Sequence, residues 1–264
     1  MYKFIKKVVM YYSVNNINLF VKDEGYGEPT LIFLHFWGGS SKTWNGVTSL
    51  LNSKYRCISY DSRGWGKSDK PETGYGIKSL ASDTLALIQK LKLDNYILVG
   101  HSMGGKVSQY IAAQKPAGLK KLILVAPSPS VSTVMPAEML DGMRSAYTSL
   151  EGINGTIDHV FKAGDVSPEL REQLTAGIQS NTDQSRLGWT NIALPEDVSE
   201  GVEKISVPTL IIAGENDIVD PPQRLEAEVK SLIPGSEMIT IDSVGHLIML
   251  QKPEKVAELI ADFI

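Results

Sequence analysis

The feature that most constrains the fold is the alternation of short, continuously apolar runs with longer amphipathic stretches. Runs without polar alternation are typical of strands buried on both faces of a sheet. Such runs predict strands at Thr30–Leu34, Tyr96–Val99, Leu122–Val125 and Thr209–Ile212. Apolar residues at helical spacing predict helices over Ile77–Leu91 and Pro253–Ile264. The pattern therefore predicts an α/β fold, with a mostly parallel sheet covered by helices on both faces.

The N-terminal residues depart from this pattern and predict an antiparallel start to the sheet. Short strands are expected at Tyr2–Met10, Tyr11–Val14 and Ile17–Lys22, with a turn at Asn15–Asn16. Neighbouring strands that are joined by so short a turn run in opposite directions.

The segment from Ser128 to Val207 contains no strong strand pattern and predicts a helical insertion. One helix is expected to begin at Pro136, with an apolar face made of Met139, Leu140, Met143, Tyr147 and Leu150. A second helix is expected at Pro168, where Ser167 is the cap and proline takes the first helical position. The chain is therefore predicted to be one domain with a lid, with its α/β core at residues 1–127 and 208–264 and a helical cap at residues 128–207.

Cysteine content and charge exclude several classes of protein. The single cysteine, Cys57, rules out an intrachain disulfide and any CxxC redox or zinc site. The net charge is −4 and the basic residues are scattered, which predicts no nucleic-acid partner. No apolar run reaches the roughly 20 residues that span a bilayer, and no signal-peptide pattern follows the N-terminal lysines. We therefore expect a cytoplasmic protein with no membrane partner, and no pattern predicts its oligomeric state.

Two segments resemble nucleotide-binding motifs but lack the residues that those motifs require. Gly66–Ser68 matches the end of a phosphate loop, yet Asp61 stands where the first glycine is needed. Gly25–Gly27 lacks the third glycine of a dinucleotide-binding fingerprint. Metal-ligating residue types do not occur at ligand spacing either. We therefore predict no cofactor and no bound metal.

Residues Gly100–Gly104 match the G-x-S-x-G pattern, with Ser102 at its centre. The motif directly follows the predicted strand Tyr96–Val99 and precedes a predicted helix with Val107 and Ile111 on its apolar face. A nucleophile elbow requires this strand–turn–helix context, in which the serine has a strained, positive φ. The context favours Ser102 as a nucleophile over a glycine-rich turn that contains an incidental serine.

A serine nucleophile needs an adjacent base, and His246 is the predicted one. It lies in a loop between the predicted strand Met238–Ile241 and the last helix. Loops at the C-terminal edge of a parallel sheet are where catalytic groups collect. The other histidines lie at a strand end, beside the nucleophile and in the insertion, at His35, His101 and His159.

The acid that orients the base is expected between Ser102 and His246 in the chain. The predicted strand that begins at Thr209 is followed by three carboxylates, Glu215, Asp217 and Asp220. Asp217 is the predicted acid, with Glu215 and Asp220 as its local competitors.

The oxyanion of an acyl-transfer intermediate needs backbone N–H donors. One expected donor is Met103, at the start of the helix after the serine, where the helix dipole also favours negative charge. The second is expected from the loop His35–Ser40, which follows the strand Thr30–Leu34.

These motifs, in this order, resemble those of the α/β-hydrolase superfamily, in its compact branch with a helical cap. The resemblance covers nearly the whole chain and rests on the elbow, His35–Ser40, Asp61–Ser68, Gly214–Asp217 and Gly245–His246. It implies an α/β-hydrolase fold with an eight-stranded, mostly parallel sheet, and a pocket between cap and core. It also implies Ser102 as nucleophile, His246 as base and Asp217 as acid. The N–H groups of Trp37 and Met103 would form the oxyanion hole.

One residue departs from the family pattern, because Phe36 stands where glycine usually follows the histidine of the oxyanion loop. Phe36 and Trp37 therefore suggest a narrow, apolar acyl pocket, unless Phe36 packs away beneath the cap. Met139, Met143 and Trp189 of the insertion are further candidate substrate-binding residues, although methionine stripes also occur as simple packing. We expect a small apolar ester or lactone as the substrate.

The leading hypothesis is a cofactor-free serine hydrolase that cleaves a small carboxylic ester or lactone through an acyl-enzyme on Ser102. Three alternatives share the triad: C–C bond hydrolysis of dienoic ketones, peracid formation by a perhydrolase, and acyl transfer to an alcohol. A small-molecule receptor on the same scaffold is the non-enzymatic alternative. Haloalkane cleavage is disfavoured, because the elbow carries serine rather than aspartate.

Overall fold

The computed structural model describes residues 7–264, which contain one eight-stranded sheet. Its strands are β1 (Lys7–Val14), β2 (Ile17–Glu24), β3 (Thr30–Leu34), β4 (Cys57–Tyr60), β5 (Tyr96–His101), β6 (Leu119–Val125), β7 (Thr209–Gly214) and β8 (Glu237–Ile241). Their order across the sheet is β1-β2-β4-β3-β5-β6-β7-β8. The β1–β2 and β2–β4 pairs are antiparallel and the other neighbouring pairs are parallel. The predicted fold class is confirmed.

Helices fill most of the connections between these strands. They are α1 (Asn45–Leu51), α2 (Ile77–Lys90), α3 (Met103–Ala113), α4 (Ala137–Ala146), α5 (Leu150–Gly155), α6 (Pro168–Gln179), α7 (Asp183–Gly188), α8 (Pro222–Glu228), α9 (Ile248–Gln251) and α10 (Pro253–Phe263). Short 3₁₀ turns lie at Ser41–Trp44, Val202–Lys204 and Lys230–Leu232, and π-helical turns extend α5 and α7 at Thr156–Val160 and Trp189–Ala193. Within residues 7–264, no helix is both long and apolar enough to cross a membrane.

The central strands are apolar throughout because helices cover both faces of the sheet. In β3, Ile32 and Leu34 belong to the apolar cluster that includes residues of α2 and α3. The alternating residues Leu31 and Phe33 belong to the cluster on the other face, with residues of α1 and α10. All the parallel strands end at the same edge of the sheet, so the loops that follow β3, β5, β6, β7 and β8 gather there.

The start of the sheet differs from the predicted one. A single strand, Lys7–Val14, replaces the two predicted strands, and the part of the first prediction before residue 7 lies outside the described residues. This strand is continuous because every residue from Lys7 to Val14 pairs with a residue of Ile17–Glu24 in β2. The predicted turn is confirmed, with Asn15 and Asn16 at φ 47° and 62°, the backbone that a tight hairpin requires.

The insertion also differs in one helix. The predicted helix over Met139 to Leu150 is wrong at its C-terminal end, because α4 ends at Ala146. Ser149 then caps a separate helix by accepting a hydrogen bond from the Gly152 N–H at 3.0 Å. Leu150 therefore begins α5 and is 55% exposed, whereas Tyr147 is buried. The cap segment, as we call residues 128–207 below, consists of α4 to α7 and their connections.

Candidate active site

Ser102 lies at the sharp turn between β5 and α3, with φ 50° and ψ −114°. Few non-glycine residues adopt a positive φ, and a strained conformation of this kind persists only when the surrounding contacts impose it. Here the Ser102 N–H donates to the carbonyls at the end of β6, and its carbonyl accepts from the N–H groups of Lys106 and Ser128 at 3.0 and 3.1 Å. The turn thus presents the hydroxyl at the C-terminal edge of the sheet.

Close backbone approach explains why glycine occupies the positions around this serine. A Cβ at Gly100 would lie 2.4 Å from the Gly104 carbonyl oxygen. A Cβ at Gly104 would lie 2.5 Å from the Leu34 carbonyl oxygen. Both neighbours are backbone atoms, which cannot rotate away as a flexible side chain would.

His246 and Asp217 form a buried pair, in which Nδ1 of the imidazole lies 2.8 Å from Oδ2 of the carboxylate. The other oxygen of Asp217 accepts from the backbone N–H groups of Val219 and Asp220 at 2.8 and 3.1 Å. The His246 N–H donates to the carbonyl of Phe161, in the cap segment, at 2.8 Å. These contacts fix the imidazole with its Nδ1 toward the acid, so its Nε2 is the nitrogen available to a substrate.

The two competing carboxylates make other contacts. Glu215 accepts from the Ser243 N–H at 2.8 Å, which ties two loops together. Asp220 accepts from Nη1 of Arg224 at 3.0 Å. Of the three carboxylates that follow β7, the structure therefore brings Asp217 to His246.

Burial and charge act in opposite directions on this pair. Burial lowers the pKa of His246, but the charge and hydrogen bond of Asp217 and the charge of Asp220 outweigh it and raise the pKa above its ordinary value. Burial would raise the pKa of Asp217, yet the charge of His246 and the hydrogen bonds to the carboxylate hold it below its ordinary value. An ionised Asp217 stabilises the imidazolium that forms when His246 accepts a proton.

Two of the other three histidines, His35 and His101, make buried structural contacts. His35 Nδ1 donates to the Phe36 carbonyl at 2.7 Å and its Nε2 accepts from the Ser62 N–H at 3.0 Å, so it joins the loop after β3 to the loop after β4. Burial lowers the pKa of His101, and this neutral ring donates from Nε2 to the His246 carbonyl at 2.9 Å. His159 is exposed. The sequence signal for the first two roles is only their position at strand ends.

Two backbone N–H groups of the predicted oxyanion hole remain free. Within residues 7–264, neither the Trp37 nor the Met103 N–H donates to a protein acceptor. The Trp37 carbonyl accepts from the Tyr147 hydroxyl at 3.1 Å, and the two rings stack with centroids 4.2 Å apart. Tyr147, from the cap segment, thus holds the loop that carries one donor. The sequence analysis assigned Tyr147 only to an apolar helix face.

A cavity of about 560 Å³ lies between core and cap segment, a size typical of small-molecule sites. Ser102 and His246 both line it, without a direct hydrogen bond between their side chains. Such hydrogen bonds are often long before substrate binds. The candidate substrate-binding residues all line it: Phe36, Trp37, Met139, Met143 and Trp189.

Further apolar residues complete the wall: Met135, Ala146, Val160, Phe161, Leu194, Ile218 and Val219. Met139, Val160 and Ile218 are 58%, 42% and 58% exposed, so the cavity has an apolar rim. Phe36 does not pack away from the cavity, although it is 1% exposed and its ring contacts those of His101 and Phe161. The arrangement can hold an apolar group beside a serine and an imidazole.

Known proteins resemble this chain in sequence and in fold. The alpha/beta hydrolase fold profile matches residues 29–153. The AB hydrolase superfamily protein YisY of Bacillus subtilis is 34% identical, over 94% of this chain and 96% of that protein. An esterase from Exiguobacterium antarcticum has a TM-score of 0.84 at 27% identity, covering 95% of this chain and 96% of that one. A bromoperoxidase from Bacillus anthracis has a TM-score of 0.87, but its 23% identity over 98% and 99% of the two chains indicates a shared fold alone.

Proposed function

This chain belongs to the α/β-hydrolase family, and from that premise we propose that it is a serine hydrolase of small apolar carboxylic esters or lactones. The observation that carries the proposal is the buried 2.8 Å hydrogen bond between His246 and Asp217, beside a cavity that Ser102 also lines. The likeness to the esterase from Exiguobacterium antarcticum supports ester bonds as the target.

In the acylation half-reaction, the Ser102 hydroxyl oxygen attacks the carbonyl carbon of the substrate while Nε2 of His246 accepts the hydroxyl proton. The carbonyl electron pair moves to oxygen, where the free N–H groups of Trp37 and Met103 donate hydrogen bonds. Collapse of this intermediate breaks the C–O bond to the alcohol. The His246 imidazolium gives its proton to the leaving oxygen, which leaves an acyl ester on Ser102.

In the deacylation half-reaction, water attacks the acyl carbon and His246 takes a proton from it. Collapse of the second intermediate releases the carboxylic acid, and the proton returns from His246 to Ser102. Asp217 stays ionised throughout, because its hydrogen bonds and the charge of His246 keep its pKa low. In a lactone both products remain one molecule, a hydroxy acid.

The cavity supports an apolar acyl or ring substrate. Its wall consists mainly of methionine, aromatic and aliphatic side chains. Burying a small apolar group there contributes about 0.8 kcal/mol for each methylene removed from water. Discrimination among chain lengths therefore reflects how far the wall extends from Ser102.

The test is hydrolysis of a panel of aryl esters and lactones of increasing chain length and ring size by wild type and Ser102→Ala. We expect the variant to lose about 10⁴-fold or more in kcat/KM, because the nucleophile is absent. Its thermal midpoint should remain close to that of the wild type. Ser130→Ala is the matched control, since Ser130 is buried after β6 and does not line the cavity.

Equal hydrolysis by wild type and Ser102→Ala would overturn the proposal. Thermal stabilisation by a panel compound without any product would instead support a receptor. Product analysis after adding an alcohol during turnover distinguishes acyl transfer, which gives a new ester, from hydrolysis. With hydrogen peroxide instead, a peracid product would indicate peracid formation.

A further inference from the structure

One corner of the cavity carries charge. Apart from His246, the ionisable residues that line it are Asp220 and Arg224, which belong to the loop after β7 and to α8. The rest of the wall is mainly apolar, so this corner is where a substrate would meet charged side chains beyond His246. The proposed mechanism uses neither side chain.

Asp220 lines the cavity, and only one of its two carboxylate oxygens accepts a hydrogen bond within residues 7–264. Its side chain is nearly inaccessible, at 2% residue exposure, and Oδ1 accepts from Nη1 of Arg224 at 3.0 Å. Within residues 7–264, Oδ2 has no hydrogen-bond donor, and it is not among the sealed polar atoms of the interior. Its backbone N–H donates to Asp217 at 3.1 Å, so the residue is fixed beside the catalytic acid.

Arg224 is already occupied by the protein. Besides Asp220, its guanidinium donates to Glu228 Oε2 at 2.9 Å and to Thr133 Oγ1 of the cap segment at 2.9 Å. Two carboxylates thus face one guanidinium. The corner therefore does not favour a further anion, and the unpaired carboxylate oxygen can accept a hydrogen bond from a bound group.

We propose that Oδ2 of Asp220 determines specificity by accepting a hydrogen bond from a neutral N–H or O–H group of the substrate. The substrate class is then an ester or lactone that carries an amide or hydroxyl substituent near the scissile carbonyl. This inference rests on the proposed function, because the donor reaches Asp220 only while that carbonyl lies at Ser102.

The test measures kcat/KM at about pH 9, where Asp220 is ionised although burial raises its pKa to about 7. It uses pairs of aryl esters whose acyl groups differ only in whether an amide nitrogen carries hydrogen or a methyl group. Each pair is an N-acetyl amino acid ester and its N-methyl analogue, with the amide one, two or three carbons from the carbonyl. At the spacing that fits, we expect wild type to prefer the N–H member by about ten- to a hundred-fold. Ratios within a pair cancel any effect of a variant on His246.

Asp220→Asn is the decisive variant. Its amide must turn the carbonyl oxygen toward Arg224, which only donates, so its NH₂ faces the cavity and a donor replaces the acceptor. The N–H preference should fall to about unity, and Asp220→Leu should lose it as well. Glu228→Gln is the matched control, because it removes a charge from the same guanidinium without lining the cavity, and it should keep the preference.

A wild type without preference at every spacing, or a preference that survives in both folded Asp220 variants, would overturn the inference. Preference for carboxylate-bearing esters that is lost in Arg224→Met would overturn it too and would assign the corner to anions. If hydrolysis depends on Ser102 but the N–H and N-methyl esters have equal kcat/KM values, only this inference is overturned. Absence of any Ser102-dependent hydrolysis removes the proposed function and this inference together.

Discussion

The proposed catalytic residues of the core and the cap segment line the same cavity but differ in burial. Ser102, Asp217 and His246 are 7%, 2% and 1% exposed, and backbone hydrogen bonds hold each of them. In the cap segment, α4 has no buried residue, and its Met139 is 58% exposed. Under the proposed function, the core would therefore supply the catalytic residues, whereas the cap segment would supply much of the cavity wall.

Specific hydrogen bonds connect the two regions. The Tyr147 hydroxyl donates to the Trp37 carbonyl, and the Phe161 carbonyl accepts from the His246 N–H. The buried ammonium of Lys106, on α3, donates to the Leu194 carbonyl at 2.9 Å. Burial lowers the pKa of Lys106 to about 8. Through these contacts, a change in the cap segment can displace the proposed catalytic residues.

The largest expected contrast is in rate. Asp217→Asn should lower kcat by about 10⁴-fold, because the amide cannot stabilise the imidazolium and favours the wrong tautomer of His246. Met143→Ala should change kcat on a short ester by less than about tenfold and should shift the preferred chain length. Steady-state kinetics on the aryl ester series measure both. A similar loss of kcat in the two variants would contradict the assignment of catalysis to the core and of substrate preference to the cap segment.

The second contrast is in the free energy of unfolding, when glycine is replaced by alanine in each of the two regions. Gly104→Ala should destabilise the fold by about 3 kcal/mol, because its Cβ would lie 2.5 Å from the Leu34 carbonyl oxygen. Gly142→Ala should stabilise it by about 0.5–1 kcal/mol, because glycine is a poor helix former and no atom lies within 4 Å of that Cβ. Denaturant unfolding measures both changes. Equal changes would contradict the tight packing inferred at the elbow.

A smaller effect is expected at Tyr147, where the cap segment contacts the loop that carries one proposed oxyanion donor, the Trp37 N–H. Tyr147→Phe removes the hydrogen bond to the Trp37 carbonyl, which is worth about 1 kcal/mol. We expect kcat to fall by about three- to tenfold, because the Trp37 N–H that would bind the oxyanion shifts. KM should change little, because the cavity wall remains. Tyr110→Phe, on α3, is the control. A change confined to KM would indicate a wall residue rather than a positioning one.

The smallest effect concerns pH. His246 must be neutral to accept the Ser102 proton, and its pKa is raised above the ordinary 6.5. We therefore expect kcat/KM to rise with pH through an apparent pKa above 6.5, to which the nearby Asp220 also contributes. The midpoint in Met143→Ala should match that of wild type. A midpoint below 6.5 would contradict the coupling of His246 to Asp217.

Much of the fold could be predicted because it depends on local patterns. The strand Thr30–Leu34 was predicted with its observed bounds, and the helix from Ile77 within one residue. The break between α4 and α5 escaped prediction, because apolar residues continue at helical spacing across it. Only the cap at Ser149 and the burial of Tyr147 reveal that two helices meet there.

By itself the sequence determined the elbow around Ser102 and the order of serine, carboxylate and histidine along the chain. These are properties of a strand–turn–helix unit and of loops that share one sheet edge. Only the tertiary structure decided which of three carboxylates contacts His246. It also brought the Tyr147 hydroxyl to the Trp37 carbonyl, 110 positions away in the chain. It also placed Asp220 in the cavity wall, where only one of its two carboxylate oxygens accepts a hydrogen bond within residues 7–264. Contacts between segments that are distant in the chain leave no periodic pattern in the sequence. They can therefore be identified only in the folded structure.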